Sequence, residues 1–257
     1  MATFLLVPGV LHTPAHFQPL IDALNARGCP AQSVALPTVG AFAESAALNA
    51  DAVAVKSALQ QLVVAEKKNV VLVCHSYGGI PGCQAVAGFE KAARVKEELE
   101  GGVVRIIFLS AILPKEGESL LDAFAGAGVS PGDWLEPSSA STLAANSKAS
   151  ERLYHELDTK SAADWTSKLE PMSIHILSTP AVDTCWSTDL PRTYILCLRD
   201  QVFSFEEQGR FLERIRGEGD AMWSTKKMDC GHSPMLSHVE ELTEILTREQ
   251  EYKISSD

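Results

Sequence analysis

A hydrophobic run, Val70 to Val73, leads without a break into Cys74-His75-Ser76-Tyr77-Gly78-Gly79, and helical sequence follows. This junction constrains the fold more than any other stretch. A near-continuous apolar strand is one buried on both faces, and such strands belong to parallel sheets covered by helices on each side. A serine in a sharp strand-to-helix turn takes strained backbone angles, so the residues two before and two after it must be small. Its Oγ then projects above the sheet, and the helix N-terminus favours negative charge developing beside it. Gly78, backed by Gly79, meets the requirement on one side; on the other, Cys74 stands where glycine is usual, and cysteine is still small. The alternative is a serine in an ordinary strand–helix turn. The strand before, the helix after and the adjacent His75 favour a nucleophile.

The rest of the 257 residues repeats the same alternation. Strands are expected at Thr3–Val7, Ala31–Leu36, Asn69–Cys74, Val103–Leu109, Arg192–Leu198 and Met222–Met228. Helices are expected after Thr13-Pro14, from Asp51 to about Lys67, from Gly78 to about Leu99, and from Ser204 to about Arg216. The last runs from Ser237 to about Gln250, and it and the one before open on capping boxes, Ser204/Glu207 and Ser237/Glu240. This is the α/β class: a doubly wound, mostly parallel six-stranded sheet flanked by helices. From Pro114 to Pro191 no strong strand pattern is visible. Ser130–Ser150 reads as loop, while Ser150–Leu157 and Ala162–Leu169 read as short helices. The segment 114–191 is expected to be a small helical cap inserted into one domain spanning residues 1–257, packed through Trp134, Trp165 and Trp186.

Composition removes several classes. Lys and Arg number 22 against 33 Asp and Glu, a net charge of −11, which argues against nucleic acid or an anionic membrane as partner. No apolar run reaches the roughly 20 residues of a membrane-spanning helix, and the opening MATFLLVPGV reads as strand and turn rather than a signal peptide. The six cysteines form no CxxC, and none of the four asparagines opens a glycosylation sequon. Reduced thiols and a cytoplasmic location are expected. No metal or organic cofactor is implied, and a homodimer is left open.

Four blocks carry a family resemblance: LLVPGVLHTPAHF, VLVCHSYGG, YILCLRDQVF and DCGHSPMLS. The chain resembles the α/β-hydrolases, in particular the compact branch of plant methylesterases and hydroxynitrile lyases with their microbial esterase relatives. The resemblance implies an α/β-hydrolase fold and a triad in the chain order serine, acid, histidine. Ser76 would be the nucleophile, Asp200 at the end of TYILCLRD the acid, and His232 the base. Asp183 and Asp189 are rival acids, Glu116 or Glu118 would be a displaced acid, and His238 is a rival base; His155 and His175 lie in the insertion. The resemblance also implies two oxyanion donors, the backbone N–H groups of Tyr77 and Val10, although Pro8 replaces the usual histidine before Gly9. Gly9, His12, His75, Trp134 and Trp165 are candidate substrate contacts.

The leading expectation is a serine hydrolase acting on a carboxylic ester, lactone or thioester of a small-to-medium hydrophobic substrate through an acyl-enzyme. A cofactor-free lyase or cyclase on the same fold is the alternative. Against a hydroxynitrile lyase stand Gly9, where those relatives carry a hydroxyl residue, and Ser233, where they carry lysine after the histidine. A non-catalytic small-molecule receptor is the third reading.

Overall fold

The computed structural model describes residues 1–218 and 222–250. The strands are β1 Thr3–Val7, β2 Ala31–Ser33, β3 Asn69–His75, β4 Gly102–Leu109, β5 Leu135–Pro137, β6 Thr142–Ala145, β7 Met172–Ser173, β8 Arg192–Cys197 and β9 Trp223–Met228. The helices are α1 Gln18–Ala26, α2 Ala50–Leu59, α3 Gly79–Ala85, α4 Lys91–Lys96 and α5 Leu120–Ala127, then α6 Ala149–Tyr154, α7 Thr159–Thr166, α8 Phe205–Arg216, α9 Pro234–Ser237 and α10 Val239–Glu249.

Six strands form one sheet in the order β2-β1-β3-β4-β8-β9, and every neighbouring pair in it is parallel. The apolar runs follow from this architecture. Leu72, Cys74, Ile106 and Phe108 point into one core. Their neighbours Val71, Val73, Ile107 and Leu109 point into a second, which also takes Leu20 and Leu24 of α1 and Leu242 and Leu246 of α10. Strands buried on both faces cannot show the alternation of a half-exposed sheet.

Several boundaries differ from expectation for identifiable reasons. The helix expected over 78–99 breaks into α3 and α4. Gly88 takes φ +89° between them, and the Phe89 carbonyl accepts the Val103 N–H at 2.6 Å, joining the break to the edge of β4. The helix from Asp51 is α-helical only to Leu59 and widens to a π-helix over Gln60–Ala65. The Ser204/Glu207 capping box forms. The Ser237/Glu240 box does not, because the Ser237 hydroxyl donates to Glu156 instead, and a break at His238 separates α9 from α10.

The largest correction concerns the stretch between β4 and β8. It is not purely helical: β5, β6 and β7 form a three-stranded antiparallel sheet, with β5 and β6 inside the stretch read as loop. These strands have two to four residues, too few to display a period. The Ser/Ala turn between β5 and β6 is held by hydroxyls, with Ser139 Oγ accepting the Ser141 and Thr142 N–H groups.

All six cysteines are buried and unpaired. Among the described residues no helix is long and apolar enough to cross a membrane.

Candidate active site

Ser76 directly follows β3 and has φ +54°, the left-handed region that a non-glycine residue occupies only under tertiary constraint. The constraint is visible on both sides. Its carbonyl accepts the Ile112 N–H at 3.0 Å from the loop after β4. Gly9 packs against it so closely that a Cβ at position 9 would lie 3.0 Å from Ser76 Cβ. Cys74, the departure from the usual glycine, is accommodated by α3. A Cβ on Gly82 would fall 2.2 Å from the Cys74 sulfur, so the thiol fills the space that glycine at position 82 leaves open.

Asp200 and His232 meet three residues beyond β8 and four beyond β9. His232 Nδ1 lies 2.7 Å from Asp200 Oδ2, and both groups are buried. Asp200 Oδ1 accepts the N–H groups of Val202 at 2.7 Å and Phe203 at 3.0 Å. Ser110, at the carboxyl end of β4, donates its hydroxyl to Oδ2 at 2.5 Å. An acceptor-only carboxylate so placed makes Nδ1 the protonated nitrogen of a neutral His232, leaving Nε2 unprotonated. Ser110 was not among the sequence candidates. Its signal was a small hydroxyl residue at the carboxyl edge of the strand beside the one that carries Asp200.

His75 holds His232 from behind. Its Nε2 lies 2.8 Å from the His232 carbonyl oxygen, and the two rings are 4.7 Å apart. Phe203 also packs on His232, edge to face, with ring centroids 5.7 Å apart. Ser76 and His232 thus approach the same sheet edge, joined through His75. Among the described residues Ser76 Oγ makes no hydrogen bond; in unliganded sites such bonds are often loose and tighten only with substrate.

A cavity of about 220 Å³ opens at Ser76. Val10, Ile112 and Phe203 line it together with Phe124, Trp134 and Leu143 of the segment between β4 and β8. Every side chain on it other than Ser76 is apolar, and no charged side chain lines it among the described residues. Val10 and Ser76 share the cavity surface, and Tyr77 lies just behind. The Tyr77 hydroxyl donates to the buried Asp51 carboxylate at 2.9 Å, which also accepts the Thr38 hydroxyl at 2.6 Å. Burial pushes the Asp51 carboxyl up despite these bonds, and pushes the Tyr77 phenol up as well.

Of the candidate substrate contacts, Trp134 stands on the cavity wall; the others do not. Gly9 lies beneath Ser76. His12 is turned inward, between the Val10 carbonyl at 2.7 Å and the Tyr154 hydroxyl at 2.9 Å. His75 is spent on the His232 backbone. Trp165 is half-buried against the core, with its ring 5.5 Å from that of His16 and Lys168 Nζ 3.7 Å from its centroid. Each is an amphipathic side chain next to the motif, and spacing alone does not say into which space the ring turns. The rival acids are remote from His232. Glu116 accepts the backbone N–H groups of Asp183 and Thr184, Glu118 pairs with Arg214, and Asp183 and Asp189 are exposed. The rival base His238 lies 3.4 Å from Glu156, outside the cavity.

His12, His16 and His75 form a buried cluster. Burial is the main cause that lowers their pKa values, with mutual repulsion adding to it for His12, while His75 is also depressed by His232. Below the ordinary histidine value of about 6.5 the unfolded chain takes up protons that the native rings refuse, so stability falls with pH by up to about 1.4 kcal/mol per unit for each fully buried ring. The melting temperature is expected to drop steadily from pH 7 to pH 5.5; a flat profile would show that the cluster is charged in the native state.

The sequence from residue 4 to residue 245 matches the model of the alpha/beta hydrolase family. The chain belongs to this family. It is 28% identical over 235 residues to "Alpha/beta hydrolase nvfD" of Aspergillus novofumigatus, covering 91% of this chain and 90% of that one. It is 29% identical over 245 residues to "Probable hydrolase R7" of a Phoma species, covering 94% and 95%. Solved structures with the same fold include a pyrethroid hydrolase at TM-score 0.73 and 18% identity, covering 97% of both chains. Polyneuridine aldehyde esterase matches at TM-score 0.74 and 17% identity, covering 98% of this chain and all of its own.

Proposed function

We propose that the protein is a serine hydrolase that cleaves an uncharged carboxylic ester, lactone or thioester through an acyl-enzyme. Ser76 attacks the carbonyl carbon while His232 Nε2 takes its proton. The Tyr77 and Val10 N–H groups hold the oxyanion, His232 protonates the leaving oxygen or sulfur, and the same histidine then activates water. Asp200 keeps the imidazole in the Nδ1–H tautomer and balances its charge once it is protonated. The observation that carries this reading is the 2.7 Å Asp200–His232 contact at the same sheet edge as a serine held at φ +54°. Segment 114–191 acts as the cap, excluding water and supplying the apolar wall.

The lining supports a substrate that presents hydrocarbon to the cavity. In a series of p-nitrophenyl esters, kcat/KM is expected to rise from acetyl to a medium acyl chain and then fall as the cavity fills. A hemisuccinate ester, which would bury an unpaired carboxylate, is expected to react at least about 100-fold more slowly than butyrate. Faster turnover of the charged ester would overturn the substrate class.

A further inference from the structure

Three consecutive residues at the end of α6 touch the two loops on which the proposed chemistry depends, and none of the three lines the cavity. Tyr154 is buried, and its hydroxyl lies 2.9 Å from His12 Nε2. His12 Nδ1 lies 2.7 Å from the Val10 carbonyl oxygen. A carbonyl can only accept, so Nδ1 carries the proton, Nε2 is the acceptor, and Tyr154 is the donor. The chain Tyr154→His12→Val10 fixes the loop from which the Val10 N–H points. Leu11, between them, has φ +61°, a conformation that needs such external support.

Glu156 reaches the other loop. Its Oε2 accepts the Gly231 N–H at 2.5 Å and the Ser237 hydroxyl at 3.1 Å, and its buried Oε1 lies 2.6 Å from Arg199 Nη2. His155 packs against Gly231, where a Cβ would come 2.5 Å from His155 Cε1. The next residue is His232. One turn of chain therefore holds the backbone before the base and the backbone of the oxyanion loop.

We propose that Tyr154-His155-Glu156 is a brace by which the segment between β4 and β8 positions the Val10 loop and the His232 loop relative to each other. Tyr154 and Glu156 are positioning residues, since they act through His12 and Gly231. The catalytic part of this proposal rests on the serine-hydrolase reading; the structural part does not. Movement of the brace would misplace oxyanion donor and base together, and displacement on the order of an ångström is enough to slow such chemistry strongly.

The test compares Tyr154→Phe, Glu156→Ala and Glu156→Gln with wild type and with the exposed control Lys160→Ala. Amide hydrogen exchange is read in peptides spanning Val10–His12 and Gly231–Ser233, alongside kcat and KM for p-nitrophenyl butyrate. Tyr154→Phe, which is isosteric, is expected to speed exchange at Val10–His12 by about tenfold and to lower kcat about tenfold with KM held within about twofold. Glu156→Ala should do the same through Gly231–Ser233. Glu156→Gln keeps an acceptor for the Gly231 N–H and should recover most of kcat. Unchanged exchange in both loops would overturn the brace. So would faster exchange with unchanged kcat, or a loss seen in KM alone. A wild-type protein with no esterase activity at all would defeat the hydrolase reading, while the exchange data would still decide whether the brace exists.

Discussion

Asp200→Asn is expected to lower kcat by about 10⁴-fold while leaving KM nearly unchanged. The reason lies in which atoms face Asp200. Two backbone N–H groups, of Val202 and Phe203, fix Oδ1 as an acceptor. In the asparagine variant the amide oxygen takes that place, and the NH₂ must face Ser110 and His232. A donor opposite Nδ1 forces the proton onto Nε2, the nitrogen that in the proposed mechanism accepts the proton of Ser76. The Ser110 hydroxyl can turn to accept from the amide, so the fold is expected to persist. His232→Ala should be at least as severe, whereas His238→Ala should leave turnover close to wild type because His238 faces Ser237 and Glu156 rather than Asp200. Circular dichroism and steady-state kinetics on the three variants check this. A loss under about tenfold in Asp200→Asn would show that another group orients the base.

Gly78→Ala is expected to damage stability and turnover together. A Cβ at position 78 would lie 2.5 Å from the Val7 carbonyl oxygen and 2.7 Å from that of Pro8. Both are backbone atoms at the end of β1, so no side-chain rotation relieves the contact. The end of β1 must move, and it carries Gly9 and Val10 with it. Overpacking of this kind costs about 3 kcal/mol, which for a chain of this length lowers the melting temperature by roughly 6–12 °C. Displacing Val10, a proposed oxyanion donor, is expected to lower kcat by about 10²–10³-fold. A thermal melt and an ester assay read both effects, and a variant with wild-type values in each would contradict the described packing between the Ser76 turn and β1.

The sequence made the sheet and the turn at Ser76 legible because each rests on local pattern; that Asp200 and His232 belong together was implied only by the family resemblance, and the structure places them 2.7 Å apart. Strands buried on both faces read as unbroken apolar runs, and a strand running into Ser76-Tyr77-Gly78 leaves few local geometries. What stayed hidden is non-local. Ser110 reaches Asp200 across 90 positions, and Glu156 reaches Gly231 across 75. The thiol of Cys74 fits because of Gly82, a compensation visible only once α3 lies on β3. His12 and Trp165 were misread for a related reason. Both sit beside the right motif or in the right segment, but the His12 ring turns into a histidine cluster and the Trp165 ring packs between that cluster's His16 and Lys168. The small strands β5, β6 and β7 were invisible because two to four residues hold no period.

In the proposed mechanism Ser76 is a nucleophile activated by His232. Reaction with a fluorophosphonate probe, followed by peptide mass spectrometry, tests it most directly. One stoichiometric adduct is expected on Ser76, absent in Ser76→Ala and strongly slowed in both His232→Ala and Asp200→Asn. No adduct on wild-type protein, an adduct on a different residue, or equal labelling of Ser76→Ala would contradict it.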